Sequence, residues 1–497
     1  MPAITEENRK WWTLGAMCFA LFMVMLDNTV ANIALPSISR DFHSSISGLS
    51  WVVNAYALSF GVLLITGGRL GDLFGRKRMF LFGIVLFTAS SIGAGLSGSI
   101  NELVFWRAAQ GAGAAFLMPG SLSILTNTFH GSERGRALGL WAGISGMALG
   151  MGPVLGGLIV EKAGWEWIFF LNVPVALIAI PVTLYAVRES RDETASGRVD
   201  YAGIATLSLG LFLLVLGLVQ ANDYGWTSTH TLGMFAVAIA SLGAFVALQL
   251  RAAEPMVDLA FFKNRTFSAG TAIGFLVSYS MFATFFFITL YMQNALGLSA
   301  LQTGVRFLPM TLLIIATAPI SGRLSDRFGS RWLLTLGMVL VAISLAIESL
   351  ITANSGYATL LPAFIIGGVG MGLTMSPMTA AVMGSVDRTK AGVASGILSM
   401  SRMIGGVFGV ATLTAVFQHI TASRIPDLIA AGESKQLAAR DAFIYALSRS
   451  LLLSVAVALV GAVVAVVGIR SHHPAEPAEA PVVEVEPALE PVLEPVG

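Results

Sequence analysis

Residues 68–76 read GRLGDLFGR, and residues 322–331 read GRLSDRFGSR. Each copy connects two long apolar stretches, and several further apolar stretches separate the copies. The repeat indicates a chain built from two related halves, which is a common construction for a membrane transporter. Channels also contain internal repeats, so this feature alone leaves the function open.

The composition predicts that most of this chain lies in a lipid bilayer. Of its 497 residues, 55% are hydrophobic and only 11% are charged, whereas soluble domains carry about 25% charged residues. The formal net charge of +1 gives no reason to expect a nucleic-acid partner. Cys18 is the single cysteine, and the histidines show no ligand spacing, so we expect no disulfide, no metal and no cofactor.

Fourteen apolar stretches are long enough to cross a hydrocarbon core of about 30 Å, which needs about 20 helical residues. The alternating pattern of a membrane barrel is absent, so we predict an all-α polytopic membrane protein. The first stretch is too long for a signal-peptide core and is expected to be a retained helix. The predicted spans are residues 12–35, 50–70, 79–98, 102–127, 136–160, 167–187, 201–219, 232–250, 267–292, 303–323, 331–352, 358–383, 393–417 and 441–470.

The positions of lysine and arginine predict the orientation of the chain. With the N-terminus inside, most of these residues fall in inner loops, as the positive-inside rule requires. We expect both termini in the cytoplasm of a bacterium and the spans in its plasma (inner) membrane. We expect an N-terminal six-helix half in residues 1–190, a linker with two extra helices in 191–262, a C-terminal six-helix half in 263–470 and a disordered Pro- and Glu-rich tail in 471–497.

Asp27 and Arg107 are predicted to form an ion pair inside the membrane. A carboxylate in a span costs about 2.5–3.5 kcal/mol, so Asp27 should face a cavity or a partner. At 1.5 Å per residue, Asp27 lies about 8 Å and Arg107 about 7.5 Å below the outer surface of the core. Protonation of Asp27 would weaken the pair and bias a two-state transporter. The alternative is a permanent pair that only holds two helices together.

Two more charged residues lie within predicted spans. Glu348 lies about 24 Å along its helix, near the outer boundary, where it can extend to water or take part in proton coupling. With at most two acids in the spans, we do not expect transport of many protons. Arg402 lies about 15 Å along its helix, near the midplane, where it can attract an anionic cargo, bind a carbonyl or serve only in packing.

The repeated loop is predicted either to latch one conformation or only to anchor the inner face. Its glycines permit a tight connection, and an aspartate can cap a helix N-terminus across the interface between the halves. The predicted latch residues are Gly68, Asp72, Gly75, Arg76, Gly322, Asp326 and Gly329.

Gly152, Pro153, Gly156 and Gly157 in the fifth span predict either a kinked gating helix or a notch for close packing. Aromatic residues in the ninth span and methionines in the first and twelfth are suited to an adaptable apolar cavity, although they can equally face lipid. The candidate cavity residues are Asn28, Phe282, Phe286, Met375 and Arg402.

Together these residues resemble the fourteen-helix drug:proton antiporter branch of the major facilitator superfamily, over residues 12–470. Residues 68–78 look like its signature between helices 2 and 3, and Arg107 with residues 110–113 looks like its helix 4 signature, whose arginine is implicated in proton transfer. Residues 152–157 look like the helix 5 signature of antiporters. Residues 26–36 and 165–174 resemble marks of the fourteen-helix branch.

The resemblance implies a major facilitator fold, with two six-helix halves plus two inserted helices. Two residues depart from the family pattern: Glu166 replaces a common arginine, and Ala148 replaces a common glycine. These departures put only fine substrate preference in doubt.

The favoured function is a proton-coupled antiporter that exports amphipathic small molecules, often cationic or neutral, by alternating access. The alternatives are a dedicated exporter of one natural product, lipid or siderophore, and a non-transporting sensor or scaffold. No nucleophile–base pair or P-loop supports an enzyme. The expected partners are the small-molecule substrate, protons, the lipid bilayer and, in a Gram-negative organism, a periplasmic adaptor, with the protein a monomer.

Overall fold

The structure is a computed structural model, and it describes residues 8–129, 131–191, 200–252, 259–352, 355–386 and 391–470 together with residues 5, 255 and 257. The predicted disordered tail, residues 471–497, and most of the linker before the eighth helix lie outside the described residues.

The first half and the inserted pair consist of long helices with short connections. Serines begin several helices of the chain: Ser45 and Ser99 each accept a hydrogen bond from the amide three residues later, which satisfies a first-turn N–H that has no partner within its helix. The helices are α1 (Arg9–Phe42), α2 (Ile46–Phe74), α3 (Arg76–Gly95), α4 (Ile100–Thr128), α5 (Gly131–Lys162), α6 (Trp167–Phe170), α7 (Asn172–Ala186), α8 (Tyr201–Tyr224) and α9 (Thr229–Arg251).

The second half repeats this arrangement, and Ser299 begins α11 with a complete capping box. A 3₁₀ turn, Leu259–Lys263, precedes α10, and a π-helical turn, Tyr291–Ala295, follows it. The helices are α10 (Arg265–Leu290), α11 (Ala300–Phe328), α12 (Ser330–Glu348), α13 (Tyr357–Gly384), α14 (Ala391–Ala430) and α15 (Lys435–Gly468).

The predicted spans are present as helices. Within the described part of the chain, thirteen segments are long and apolar enough to cross a membrane, with α6 and α7 together forming one of them. The 32-residue α5 occupies the remaining predicted span. The loop predicted between the last two spans is wrong in extent, because α14 continues to Ala430 and α15 begins at Lys435. The intervening residues are rich in good helix formers, and the turn comes at Gly432, whose φ is +96°.

The two halves meet along pairs of helices. Helix α5 packs against α11, α2 packs against α14, and α1 packs against α10. We call the end of the bundle at which α1 begins the Arg9 face and the opposite end the Phe42 face. Toward the Phe42 face, Gln293 donates a hydrogen bond across the halves to Ile33 O (2.9 Å). Of the inserted pair, α8 contacts α2, α14 and α9, so it lies against both halves.

Candidate functional site

Asp27 and Arg107 form a buried ion pair between α1 and α4. Arg107 Nη1 lies 2.5 Å from Asp27 Oδ2, and each side chain is 2% exposed. The pairing predicted from the depths of the two residues is therefore present. Its position inside the first half means that a change in its charge acts on the packing of α1 against α4.

Three further polar side chains complete the surroundings of the carboxylate. Gln110 Nε2 donates to Asp27 Oδ1 (2.8 Å) and to Ser91 Oγ (3.2 Å). Asn172 Nδ2 donates to Ser91 Oγ (2.8 Å) and makes a longer contact with Asp27 Oδ1 (3.4 Å). Ser91 in turn donates to Phe169 O (2.8 Å). Helices α1, α3, α4 and α7 thus converge on one network, which we call the Asp27 network.

Arg107 has partners that do not depend on the charge of Asp27. Its Nε donates to Val52 O (3.1 Å), and its Nη1 also donates to Gln110 Oε1 (2.6 Å). The guanidinium carbon lies 4.2 Å from the centroid of the Tyr56 ring, a cation–π geometry. These contacts would still compensate part of the charge of Arg107 if the negative charge of Asp27 were lost.

The sequence predicts the two charges of this network but not the amides and the hydroxyl around them. Gln110 and Asn172 lie within the family-like motifs of residues 110–113 and 165–174, and Ser91 lies in no motif. The available signal was a polar side chain inside an apolar span, which has to find a hydrogen-bond partner when it is buried. All three are buried in the structure.

Glu348 is buried, and the expectation that it extends to water is wrong. The residue is 1% exposed, and neither carboxyl oxygen has a hydrogen-bond partner within the described residues. Its position near the end of α12 follows from the sequence, whereas the side of the helix on which it lies does not. It borders a small cavity between α10, α11, α12 and α13.

Arg402 is half-buried on α14 and close to α10 and α13. A Cβ added at Gly274 of α10 would lie 3.3 Å from Arg402 Cγ and 3.3 Å from Met378 Sδ. Arg402 Nε is buried, and in the described part of the chain it has no hydrogen-bond partner. The adjacent Met403 contacts Gly61 of α2, so Arg402 lies next to the interface between the halves.

The other candidate cavity residues differ in accessibility. Asn28 and Met375 are half-buried, and Phe282 is buried with its ring against Gly406 of α14. Phe286 is fully buried, with its ring centroid 4.9 Å from that of Phe287. In this conformation Phe286 cannot line a cavity, because aromatic packing in the core covers it.

A cavity of about 570 Å³ lies between α2, α4 and the inserted α8. Large apolar side chains line it, including Trp51, Phe105 and Phe212, and the polar Ser59, Asn101 and Gln220 lie among them. Cavities that bind drug-sized molecules typically have about 300–1,000 Å³. None of the candidate cavity residues chosen from the sequence lines this cavity.

The repeated loops contain the expected tight turns but not the expected capping contact. Gly75 (φ +108°) and Gly329 (φ +80°) both adopt a conformation that favours glycine. Asp72 pairs with Arg76 in the same loop (2.8 Å) instead of capping a helix across the interface. The α3 N-terminus is capped by Glu189, which accepts hydrogen bonds from the amides of Lys77 (2.9 Å) and Arg78 (3.2 Å).

The role of these loops in latching the two halves together therefore stays a prediction, and it would apply to another conformation. Gly68 lies within α2 and Gly322 within α11, where an added Cβ would lie 3.4 Å from Pro119 Cβ and 2.7 Å from Ser376 Oγ respectively. The side chain of Asp326 lies outside the described residues.

The glycines of α5 form a close-packed surface. A Cβ added at Gly156 would lie 2.9 Å from Val30 Cγ1 on α1, and one at Gly157 would lie 2.5 Å from Ala300 O on α11. Gly152 lies directly against Thr29 of α1, and Pro153 O directly against Gly304 of α11. The close-packing interpretation thus holds in this conformation, and α5 contacts both its own half and the opposite one.

Comparisons with known proteins agree with this fold. The family model "Major Facilitator Superfamily" matches residues 17–410. The chain belongs to this superfamily of membrane transporters, and the resemblance stated from its motifs is confirmed.

Several characterised relatives are similar over most of their length. The chain is 38% identical to the tetracenomycin C resistance and export protein of Streptomyces glaucescens, over 86% of this chain and 79% of the relative. It is 31% identical to the multidrug transporter protein MdtP of Bacillus subtilis, over 85% and 78%. It is 33% identical to the puromycin resistance protein pur8 of Streptomyces alboniger, over 85% and 84%.

A solved structure supports the fold itself. A bacterial homologue of the human lysosomal transporter Spinster, in an inward-facing and occupied conformation, aligns with a TM-score of 0.66. The alignment covers 93% of this chain and 97% of that structure at 16% identity, so it bears on the fold alone.

Proposed function

We propose that this protein is a proton-coupled antiporter that exports amphipathic small molecules by alternating access. The observation that carries the proposal is the buried Asp27–Arg107 pair within a closed polar network. A buried carboxylate whose cation has other partners can gain and lose a proton without unfolding its surroundings. Such a group gives two states of different charge, which is what proton coupling requires.

Orientation and cycle follow as parts of the same proposal. The Arg9 face lies in the cytoplasm of a bacterium, because it holds most lysines and arginines. With the Phe42 face open, Asp27 takes a proton and the cargo leaves. The halves then rock about the packed α2–α14 and α5–α11 pairs, and the proton is released inside.

The nature of the cargo is supported by the relatives and by the cavity beside α8. The similar proteins are named for resistance to tetracenomycin C or puromycin, or for multidrug transport. The cavity of about 570 Å³ has mostly apolar walls with a few amides and hydroxyls. Such walls suit an amphipathic molecule that dissolves in the bilayer before transport.

Uptake into inverted membrane vesicles tests the proposal. Ethidium accumulation would be measured with an imposed pH gradient for the wild type and for Asp27→Asn, with Asp41→Asn, outside the Asp27 network, as a matched control. We expect gradient-dependent uptake in the wild type and the control and its loss in Asp27→Asn. Equal uptake in Asp27→Asn and the wild type would remove Asp27 from the mechanism.

A second candidate function is dedicated export of one natural product. It is favoured by the 38% identity to a protein named for the export of a single compound, which exceeds the 31% identity to a multidrug transporter. Competition by chemically unrelated compounds against one transported cargo separates the two. Broad competition supports multidrug export, and competition only by close analogues supports a dedicated exporter.

A further inference from the structure

Contacts between helices repeat in the two halves. A Cβ added at Gly83 of α3 would lie 3.1 Å from Gly113 O of α4, and one added at Gly337 of α12 would lie 2.8 Å from Gly370 O of α13. The same close approach between two glycines therefore joins α3 to α4 and α12 to α13. This places α12 in the role of α3 and α13 in the role of α4.

A second contact fixes the register of this correspondence. A Cβ added at Gly113 of α4 would lie 2.6 Å from Phe87 N of α3, and one added at Gly370 of α13 would lie 2.9 Å from Val341 N of α12. Both contacts give the same alignment of positions. Counting along α4 and α13 from the matched glycines then pairs Gln110 with Gly367.

The second half lacks the polar pair of the first at the equivalent positions. By the same count, Arg107 is matched by Phe364 and Gln110 by Gly367. Gly367 lines the small cavity that Glu348 borders, and a Cβ added at Gly367 would lie 2.6 Å from Ser344 Oγ, so Ser344 occupies the space beside the glycine. The Glu348 cavity is thus the counterpart of the Asp27 network, with the acid supplied by a different helix.

Among the described residues, polar groups line this cavity and no cationic side chain does. Its volume is about 10 Å³, close to the smallest space that holds one water molecule. Ser280 and Ser344 donate their hydroxyl protons to Leu276 O (3.1 Å) and Ala363 O (2.8 Å). Their oxygens therefore keep lone pairs that can accept a hydrogen bond from a carboxylic acid. The lining residues are Ser280, Met281, Thr284, Met310, Val341, Ser344, Leu345, Glu348, Gly367 and Met371.

The charged groups on the surrounding helices have other neighbours. Arg306 of α11 lies over the Tyr357 ring of α13, with 5.2 Å from its guanidinium carbon to the ring centroid. Arg449 of α15 lies over the Tyr445 ring at 5.2 Å. Of α10, α11, α12 and α13, only α12 contributes a titratable side chain to the described cavity lining, and that residue is Glu348. A charged carboxylate here would be buried without a counter-ion, which is costly.

We propose that Glu348 is a second proton-carrying site, the counterpart of Asp27 in the C-terminal half, and that each cargo molecule is exchanged for two protons. Glu348 carries its proton in this conformation. It releases the proton when rearrangement of α10 and α13 against α12 opens the cavity to water. The inference rests on the proposed antiport function and adds its stoichiometry.

Charge counting gives a direct test. Exchange of one proton for one monovalent cation moves no net charge, whereas exchange of two protons moves one. Purified full-length protein in proteoliposomes would be given ethidium at equal pH on both sides, with a lumen-positive potential set by potassium and valinomycin. For two protons, a potential of about 60 mV drives about tenfold accumulation of ethidium in the lumen. Passive movement of the dye has the opposite sign.

Variants assign the second proton to Glu348. We expect Glu348→Gln to lose the response to potential while keeping accumulation driven by a pH gradient. The exposed Glu161→Gln serves as the matched control and should keep both responses. A wild type that ignores the potential, or a Glu348→Gln variant that keeps the tenfold response, would overturn the proposal.

A folding defect does not leave the proposal untested. If Glu348→Gln fails to elute as a monodisperse protein, protons released per ethidium are counted in the wild type with a pH-sensitive dye in the lumen. Two protons support the inference and one proton refutes it. Failure of the antiport function itself looks different, because the wild type would then show no accumulation under a pH gradient.

Discussion

Asparagine at position 27 would leave Arg107 as a buried cation without its counter-ion. Both side chains are 2% exposed, so solvent cannot compensate for the lost charge. Breaking a buried pair by removing one partner costs about 3–5 kcal/mol. Because Arg107 keeps Val52 O, Gln110 Oε1 and the Tyr56 ring, we expect the lower end, about 3 kcal/mol.

The double variant Asp27→Asn/Arg107→Gln separates structure from function. It removes both charges and leaves amides that can hydrogen-bond to each other and to Gln110. Replacing a buried ion pair by neutral groups of similar volume is often neutral or even stabilising. We therefore expect the double variant to regain most of the stability that Asp27→Asn loses, while transport driven by a pH gradient stays absent in both.

Two assays on the same preparations decide the matter. Thermal unfolding in detergent reports stability, and ethidium uptake into inverted vesicles under a pH gradient reports coupling. If the double variant transports like the wild type, the pair serves only to hold α1 and α4 together, and the coupling role is refuted. If Asp27→Asn is as stable as the wild type, the reasoning about an unpaired buried cation is wrong.

Three further substitutions each have a defined expectation. Ser91→Ala should lower stability by about 1–3 kcal/mol, because the amides of Gln110 and Asn172 lose their shared acceptor. Ser90→Ala is the control, since Ser90 Oγ has no hydrogen-bond partner within the described residues. Equal melting temperatures for the two variants would contradict the network. Gly304→Val should separate α5 from α11 and reduce transport. Gly243→Val on α9 is the control, because nothing lies within 4 Å of a Cβ added there. The stability of this control should stay within about 0.5 kcal/mol of the wild type. Arg402→Gln should raise the KM for anionic cargo more than for ethidium, with little change in melting temperature; an equal change for both would indicate a packing role.

The depth of a residue along a helix follows from the sequence, because the covalent geometry of a helix fixes the rise per residue. The depths of Asp27 and Arg107 follow from a rise of 1.5 Å per residue, and the structure places them in contact. The turns at Gly75 and Gly329 likewise follow from local chemistry, because only glycine readily adopts their positive φ. The number and order of the membrane spans follow from apolar stretches long enough to cross a bilayer.

Rotation of each helix about its axis was not available from the sequence. The position of Glu348 along α12 follows from the sequence, but its inward orientation does not, since it results from packing of α12 against α10, α11 and α13. The Asp27 network needs Ser91, Gln110 and Asn172 to face one point from three helices.

The sequence by itself thus determined the spans, the depths of the charges and the superfamily. The tertiary structure alone decided which side chains meet, because rise along a helix is set by covalent bonds, whereas the direction in which a side chain points is set by the packing of neighbouring helices.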